Sequence, residues 1–252
     1  MTDSPAVAER IEQEIEALTP RQYLRSGYSF AQFSADYSRL LGRARKERVA
    51  LEAAGFDIGE LVYYDALLDA HSLAQAARLN AAADFAQAKR RFMDARPEAV
   101  QRYYILSAAA RYIISRDPTP ELHRTFSETR KGKSMLAILN NTLTLIALLR
   151  RRPDLTANVR PAGIPMDEQH LTEIESATLA LLRQNGDAKV AANLVSEAVD
   201  RRARIMTLCI RAVRELKLFA KIAFVNDRDR YRKEWASPST HRPFSKQSYG
   251  FS

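Results

Sequence analysis

Glycine is scarce in this chain, and that scarcity limits what it can fold into. Only 8 of 252 residues are glycine, roughly half the usual frequency of about 7%. Positions that take positive φ without steric cost are therefore few. Turn-dense sandwiches and α/β folds need many such positions, whereas helices joined by few loops do not. The apolar residues agree, because they recur at helical rather than alternating spacing. Val7, Ile11, Ile15 and Leu18 form one stripe, and Phe30, Phe33, Tyr37, Leu40 and Ala44 form a second. A third runs from about Ile58 to Met93, Pro97 opens a fourth helix, and a fifth lies in the apolar run Met135–Leu149. The expectation is an all-α fold, an antiparallel bundle of about six or seven helices with one overlong C-terminal helix and a flexible tail.

Punctuation supports this reading. Ser4-Pro5, Thr19-Pro20 and Thr119-Pro120 each place a hydroxyl N-cap before a proline at the first helical position, where its missing N–H costs nothing. Asp57 and Glu60 have capping-box spacing, and Gly55 and Asn185-Gly186 sit where left-handed helix ends are expected. The last helix is then predicted over about 187–234, roughly 70 Å at 1.5 Å per residue. Such a length exceeds the width of a compact bundle, so it must kink, protrude or pair with another chain as a coiled coil. Residues 1–236 are expected to form one helical-bundle domain with a possible hinge at 153–166. Residues 237–252, SPSTHRPFSKQSYGFS after Ala236, read as a flexible basic and aromatic tail.

A single cysteine, Cys209, forms no internal disulfide and suits a reducing compartment. The N-terminal stretch Met1–Leu18 is acidic and lacks the apolar core of a secretory signal. Met135–Leu149 is 15 residues long, short of the ~20 that a bilayer span needs. A cytoplasmic protein without a transmembrane segment is expected.

No residue constellation forms a catalytic signature, so no cofactor is expected, and an enzyme, with residues gathered from distant helices, is only a third reading. Ser127-Glu-Thr-Arg-Lys-Gly132-Lys133-Ser134 matches a phosphate loop except at its first glycine, but no strand precedes it, and the motif needs one. His71, His123, His170 and His241 are scattered, and only Asp167 and His170 have a metal-like spacing. A di-iron bundle would need paired Glu-x-x-His segments, so no metal site is expected and Asp167 reads as an N-cap. Asn140 and Asn141 are expected as buried amides that fix the register of the bundle.

Charge carries the functional hint. Residues 201–252 hold 13 Lys/Arg against 4 Asp/Glu, whereas residues 1–200 hold 26 of each. On the last helix, Ile205, Leu208, Cys209, Ala212, Leu216, Phe219 and Ala223 converge on one face. Arg204, Arg211, Arg214, Lys217, Lys221, Arg228 and Arg232 fall opposite, as a candidate surface for an anion or partner. Ile210, Leu218 and Val225 are threaded through that basic side, and solvation alone does not explain them. Together with Trp235 they are candidate assembly contacts, and Phe244, Tyr249 and Phe251 in the tail are further docking anchors. The function expected is a non-enzymatic interaction or assembly (scaffold) protein that self-associates through helix faces or binds a helical protein partner. The alternative is a module that binds nucleic acid or an acidic lipid surface through the final helix and tail.

Overall fold

A computed structural model describes residues 5–24, 27–117 and 119–235. Ser4, whose hydroxyl was expected to cap Pro5, and the tail with His241, Phe244, Tyr249 and Phe251 lie outside the described residues. Within them every regular element is helical: α1 (Pro5–Ala17), α2 (Phe30–Lys46), α3 (Arg48–Ala53), α4 (Glu60–Asp94), α5 (Arg96–Arg116), α6 (Pro120–Thr129), α7 (Met135–Arg150), α8 (Pro153–Thr156), α9 (Glu168–Ala223) and α10 (Arg228–Glu234). The all-α architecture and the overlong C-terminal helix are as the sequence predicts.

Local chemistry accounts for the helix ends. Ser29 caps α2 reciprocally with Gln32: Ser29 Oγ accepts from Gln32 N at 3.3 Å and Gln32 Oε1 accepts from Ser29 N at 3.2 Å, the two-way cap that satisfies orphan donors. Gly55 takes φ +93 after α3. There Phe56 N donates to Leu51 O and Gly55 N to Glu52 O, the paired bonds of a left-handed helix end. Asp57 does not form the expected box with Glu60; its Oδ1 accepts instead from Gly59 N at 2.8 Å. Asp167 Oδ1 accepts from His170 N at 2.9 Å and so caps the start of α9.

The chain packs as two compact units, one holding the described residues up to Asn80 and from Val195 onward, the other Ala81–Leu194. In the first, α4 and the C-terminal part of α9 lie antiparallel, since Cys209 Sγ meets Leu67 O at 3.5 Å and Tyr64 donates to Glu215 at 2.7 Å. Leu61, Tyr64 and Leu67 of α4 and Ile205, Leu208, Leu216 and Ala220 of α9 share a core with Ile11, Ile15, Tyr37 and Leu40. In the second unit, Leu106 and Ile113 of α5, Phe126 of α6, Ile146 and Leu149 of α7 and Ile174 of α9 form a separate core.

Helix α7 buries Met135, Ile138, Leu139, Thr142, Leu145, Ile146, Leu148 and Leu149. The two asparagines are not the buried amides expected. Asn140 is exposed, and half-buried Asn141 donates to Lys131 O at 3.1 Å, so it holds the turn before the helix. The buried polar group is Thr142, whose hydroxyl turns back to Ile138 O at 2.8 Å and needs no other helix.

The largest departure from the sequence reading concerns the long helix. It does not break at Asn185-Gly186, because Leu181 and Leu182 before the pair and Ala188, Ala191 and Ala192 after it continue one half-buried to buried stripe. Nor does it reach 234. It ends at Ala223, and a turn leads into α10, where Asp227 Oδ1 accepts from Arg230 N at 3.0 Å. Arg43 pairs with Glu234 and Arg230 with Glu47, tying α10 to α2 and the start of α3. Gly186 makes no contact that a Cβ would crowd. Gly186→Ala should therefore stabilise the protein to urea by about 0.5–1 kcal/mol. A destabilisation of similar size would mean that the helix ends at this glycine after all.

Candidate interaction surface

The inner face of α9 is as the period predicts: Ile205, Leu208, Cys209, Ala212 and Leu216 are buried, and Phe219 is half-buried against Phe56 with ring centroids 5.4 Å apart. Burial pushes the Cys209 thiol well above its ordinary pKa, which makes it a core residue rather than a nucleophile.

The outer face divides more finely than the sequence suggests. Arg211, Arg214 and Lys221 are exposed and form no ion pair among the described residues. Arg204 is not part of this free surface. Its Nε donates to Asp200 and to the Tyr23 hydroxyl, both at 2.8 Å, and Nη1 donates to Ile15 O at 3.2 Å, so it ties α1 and the following loop to α9. Lys217 is half-buried, and burial lowers its pKa. Arg228 and Arg232 are exposed but stand on α10, so they do not continue the α9 face.

The apolar candidates separate too. Leu218 and Val225 are 57% and 59% exposed. Ile210 is half-buried and packs against the core of its own unit. Trp235 is 0% exposed, with Phe224 6.3 Å from its ring. It is thus an internal anchor for α10 and unavailable to a partner, because the turn after Ala223 folds it inward. Sequence reasoning missed Ile222, which is 49% exposed. It lies four residues after Leu218, so these two share one line along α9, and Val225 follows in the turn just past the helix end. That spacing was legible once Ile210 was set aside.

The other candidates resolve simply. The segment Ser127–Ser134 runs from the end of α6 through Gly132, at φ +89, to Ser134, which caps α7 by accepting from Ala137 N at 3.1 Å. A helix thus stands where a phosphate loop needs a strand. Among the described residues no group of His, Cys, Asp and Glu could hold a metal ion, and no helix is long and apolar enough to cross a membrane. Near the 153–166 connection, which holds the short α8, Pro97, Tyr104, Ala108, Pro161 and Ala162 line an open apolar groove of about 580 Å³. No family model, curated protein or solved structure matches the chain.

A second feature of the first unit escaped sequence reasoning. His71 is 0% exposed, its ring lies 4.7 Å from Phe30 and 5.6 Å from Phe33, and neither ring nitrogen has a hydrogen-bond partner among the described residues. Burial, with Arg202 nearby, lowers its pKa to about 4.

Two outcomes follow. Trp235→Ala should cost about 3–5 kcal/mol of stability, whereas Arg232→Ala should change it by less than about 0.5 kcal/mol; equal effects in urea unfolding would place the indole outside the core. For His71, the folded state stays neutral between the ordinary pKa of 6.5 and about 4, while the unfolded chain takes up a proton. Stability is therefore complete above the unfolded pKa and falls as the pH drops through this window, by up to about 3 kcal/mol. His71→Leu should flatten that part of the profile, and an unchanged slope would assign it to other groups.

Proposed function

We propose that this protein is a non-enzymatic assembly protein that self-associates through helix faces, with the outer line of α9 as the contact. The carrying observation is that Leu218 and Ile222, on one line of α9, and Val225, in the turn just after it, are about half exposed or more. Single exposed apolar residues are ordinary, whereas an aligned set flanked by polar residues marks interaction surfaces. Other apolar faces are used inside the fold: Ile11 and Ile15 of α1 are buried in its own unit, and α9 contributes to two cores. The occupant proposed is a second copy of the chain. Arg211, Arg214 and Lys221 flank the line, and exposed Glu9, Glu16 and Asp229 give that copy charges of the opposite sign.

A second reading is favoured by those same cations. Arg211, Arg214, Lys221, Arg228 and Arg232 are exposed without ion pairs among the described residues, a pattern suited to nucleic acid or an anionic lipid surface. Such binding weakens steeply with salt as counterions are released, whereas apolar association persists.

Native mass by light scattering distinguishes the two. Assembly requires the wild type to exceed its 28.5 kDa chain mass at low and high salt. The combined variant Leu218→Ser, Ile222→Ser and Val225→Ser should bring it down toward that value, and glutamine at Arg211, Arg214 and Lys221 should matter less. A wild type that is monomeric at tens of micromolar, or a serine variant with undiminished mass, refutes self-association through this line.

A further inference from the structure

The first unit buries a set of polar atoms that the fold leaves unanswered. On α4, His71, Gln75 and Arg78 step by four and three residues and so share one face. The antiparallel register of Cys209 against Leu67 brings Arg202 of α9 level with Gln75, two turns further along both helices. In these four side chains, His71 Nδ1 and Nε2, Gln75 Oε1, Arg78 Nε and Arg202 Nε are all buried without a hydrogen-bond partner among the described residues. Buried polar atoms are normally satisfied, and a group of them on two facing helices calls for a reason that one isolated hydroxyl does not.

Charge gives that reason its sign. Neither Arg78 nor Arg202 forms an ion pair among the described residues. Neighbouring arginines do: Arg201 pairs with Glu12, Arg204 with Asp200 and Arg10 with Glu60. Asp200, the carboxylate closest to Arg202 along the chain, is thus already engaged. Burial and the charge of Arg78 both act against the protonated form of Arg202. Two guanidinium groups that repel each other and keep buried donors unmet are costly by themselves. They suit a tetrahedral dianion, which takes charge-assisted hydrogen bonds from both forks. Gln75 can turn its amide to present the NH₂, and His71, closed off by Phe30 and Phe33, offers an N–H from either tautomer.

We infer that Arg78 and Arg202, with Gln75 and His71 beside them, form a binding site for a phosphate-type oxyanion. The site is separate from the outer face of α9, because its residues lie on the α4 side of that helix and use none of Arg211, Arg214 or Lys221.

The experiment uses the full chain in a phosphate-free buffer at constant ionic strength. Isothermal titration and thermal unfolding are followed with inorganic phosphate, with glycerol 3-phosphate as a phosphomonoester, and with sodium chloride as the control for screening. Phosphate or its monoester should raise the melting temperature in a saturable way that chloride does not reproduce. It should also shift the His71 ring nitrogen resonances. Arg78→Gln and Arg202→Gln should each weaken binding about tenfold or more, while Arg211→Gln with Lys221→Gln leaves it unchanged. Loss of binding in a variant that still melts cooperatively separates a lost site from a lost fold. Tighter binding of the monoester identifies a phosphorylated small molecule as the source of the group, and tighter binding of phosphate identifies the free ion. The inference fails if neither anion acts beyond chloride, if the double variant Arg78→Gln, Arg202→Gln responds as the wild type does, or if the response disappears only with Arg211 and Lys221.

Discussion

The antiparallel seam between α4 and the C-terminal part of α9 carries the first unit, and the rest of that unit is arranged around it. Leu67, Ile205, Leu208 and Leu216 are essentially removed from water along it, and burial of such side chains supplies most of the driving force for a helical fold. Helices α1 and α2 contribute one apolar stripe each to the same core, and α10 adds Tyr231 with Trp235 just after it. None of them has a stripe broad enough to be stable as an isolated helix, where propensity alone is marginal. Once the seam forms, its register also decides which polar side chains meet. Tyr64 reaches Glu215, and Arg202 forms no ion pair among the described residues.

Arginine has two different roles in this structure. Some guanidinium groups join elements distant in sequence: Arg204 links α9 to Tyr23 and Ile15, Arg10 crosses from α1 to Glu60, and Arg230 holds α10 to Glu47. Exposed pairs of this kind contribute little stability each, but their directional hydrogen bonds fix how a short helix is seated. The remaining cations, on the outer face of α9 and at Arg78 and Arg202, have no such partner among the described residues. A basic C-terminal region is therefore not one uniform surface. It divides into structural ties, an exposed flank beside apolar residues, and half-buried Arg202 with its buried Nε facing α4.

Helix existence and facing were largely legible, because a 3.6-residue period needs only one sequence and no partner to be seen. The stripe from Phe33 to Ala44, the glycine end at Gly55 and the inner face from Ile205 to Leu216 are of this kind. Helix ends were less legible where two local signals competed. Asn185-Gly186 resembles a terminus, yet the apolar stripe on either side of it continues, and packing over a long stripe outweighs the cost of about 1 kcal/mol for a glycine inside a helix. At the other end, the alternating charges of residues 226–234 suit a continuing helix, and the break after Ala223 reflects the burial of Trp235 in the core.

The sequence by itself determined that the chain is helical, where most of its helices begin, and which side of each one faces inward, because these depend on propensity, caps and spacing along a single strand of covalent neighbours. Tertiary structure decided which polar groups are engaged and which are left over. Arg204 and Arg211 look alike in the sequence, on the same face of the same helix, yet one is bound to Asp200 and Tyr23 and the other stands unpaired in solvent. Trp235 and His71 likewise became core residues only through contacts with Phe224, Phe30 and Phe33. Periodicity reports the side of a helix, whereas burial and pairing depend on which other helices come to lie against that side, and that is a property of the packed chain alone.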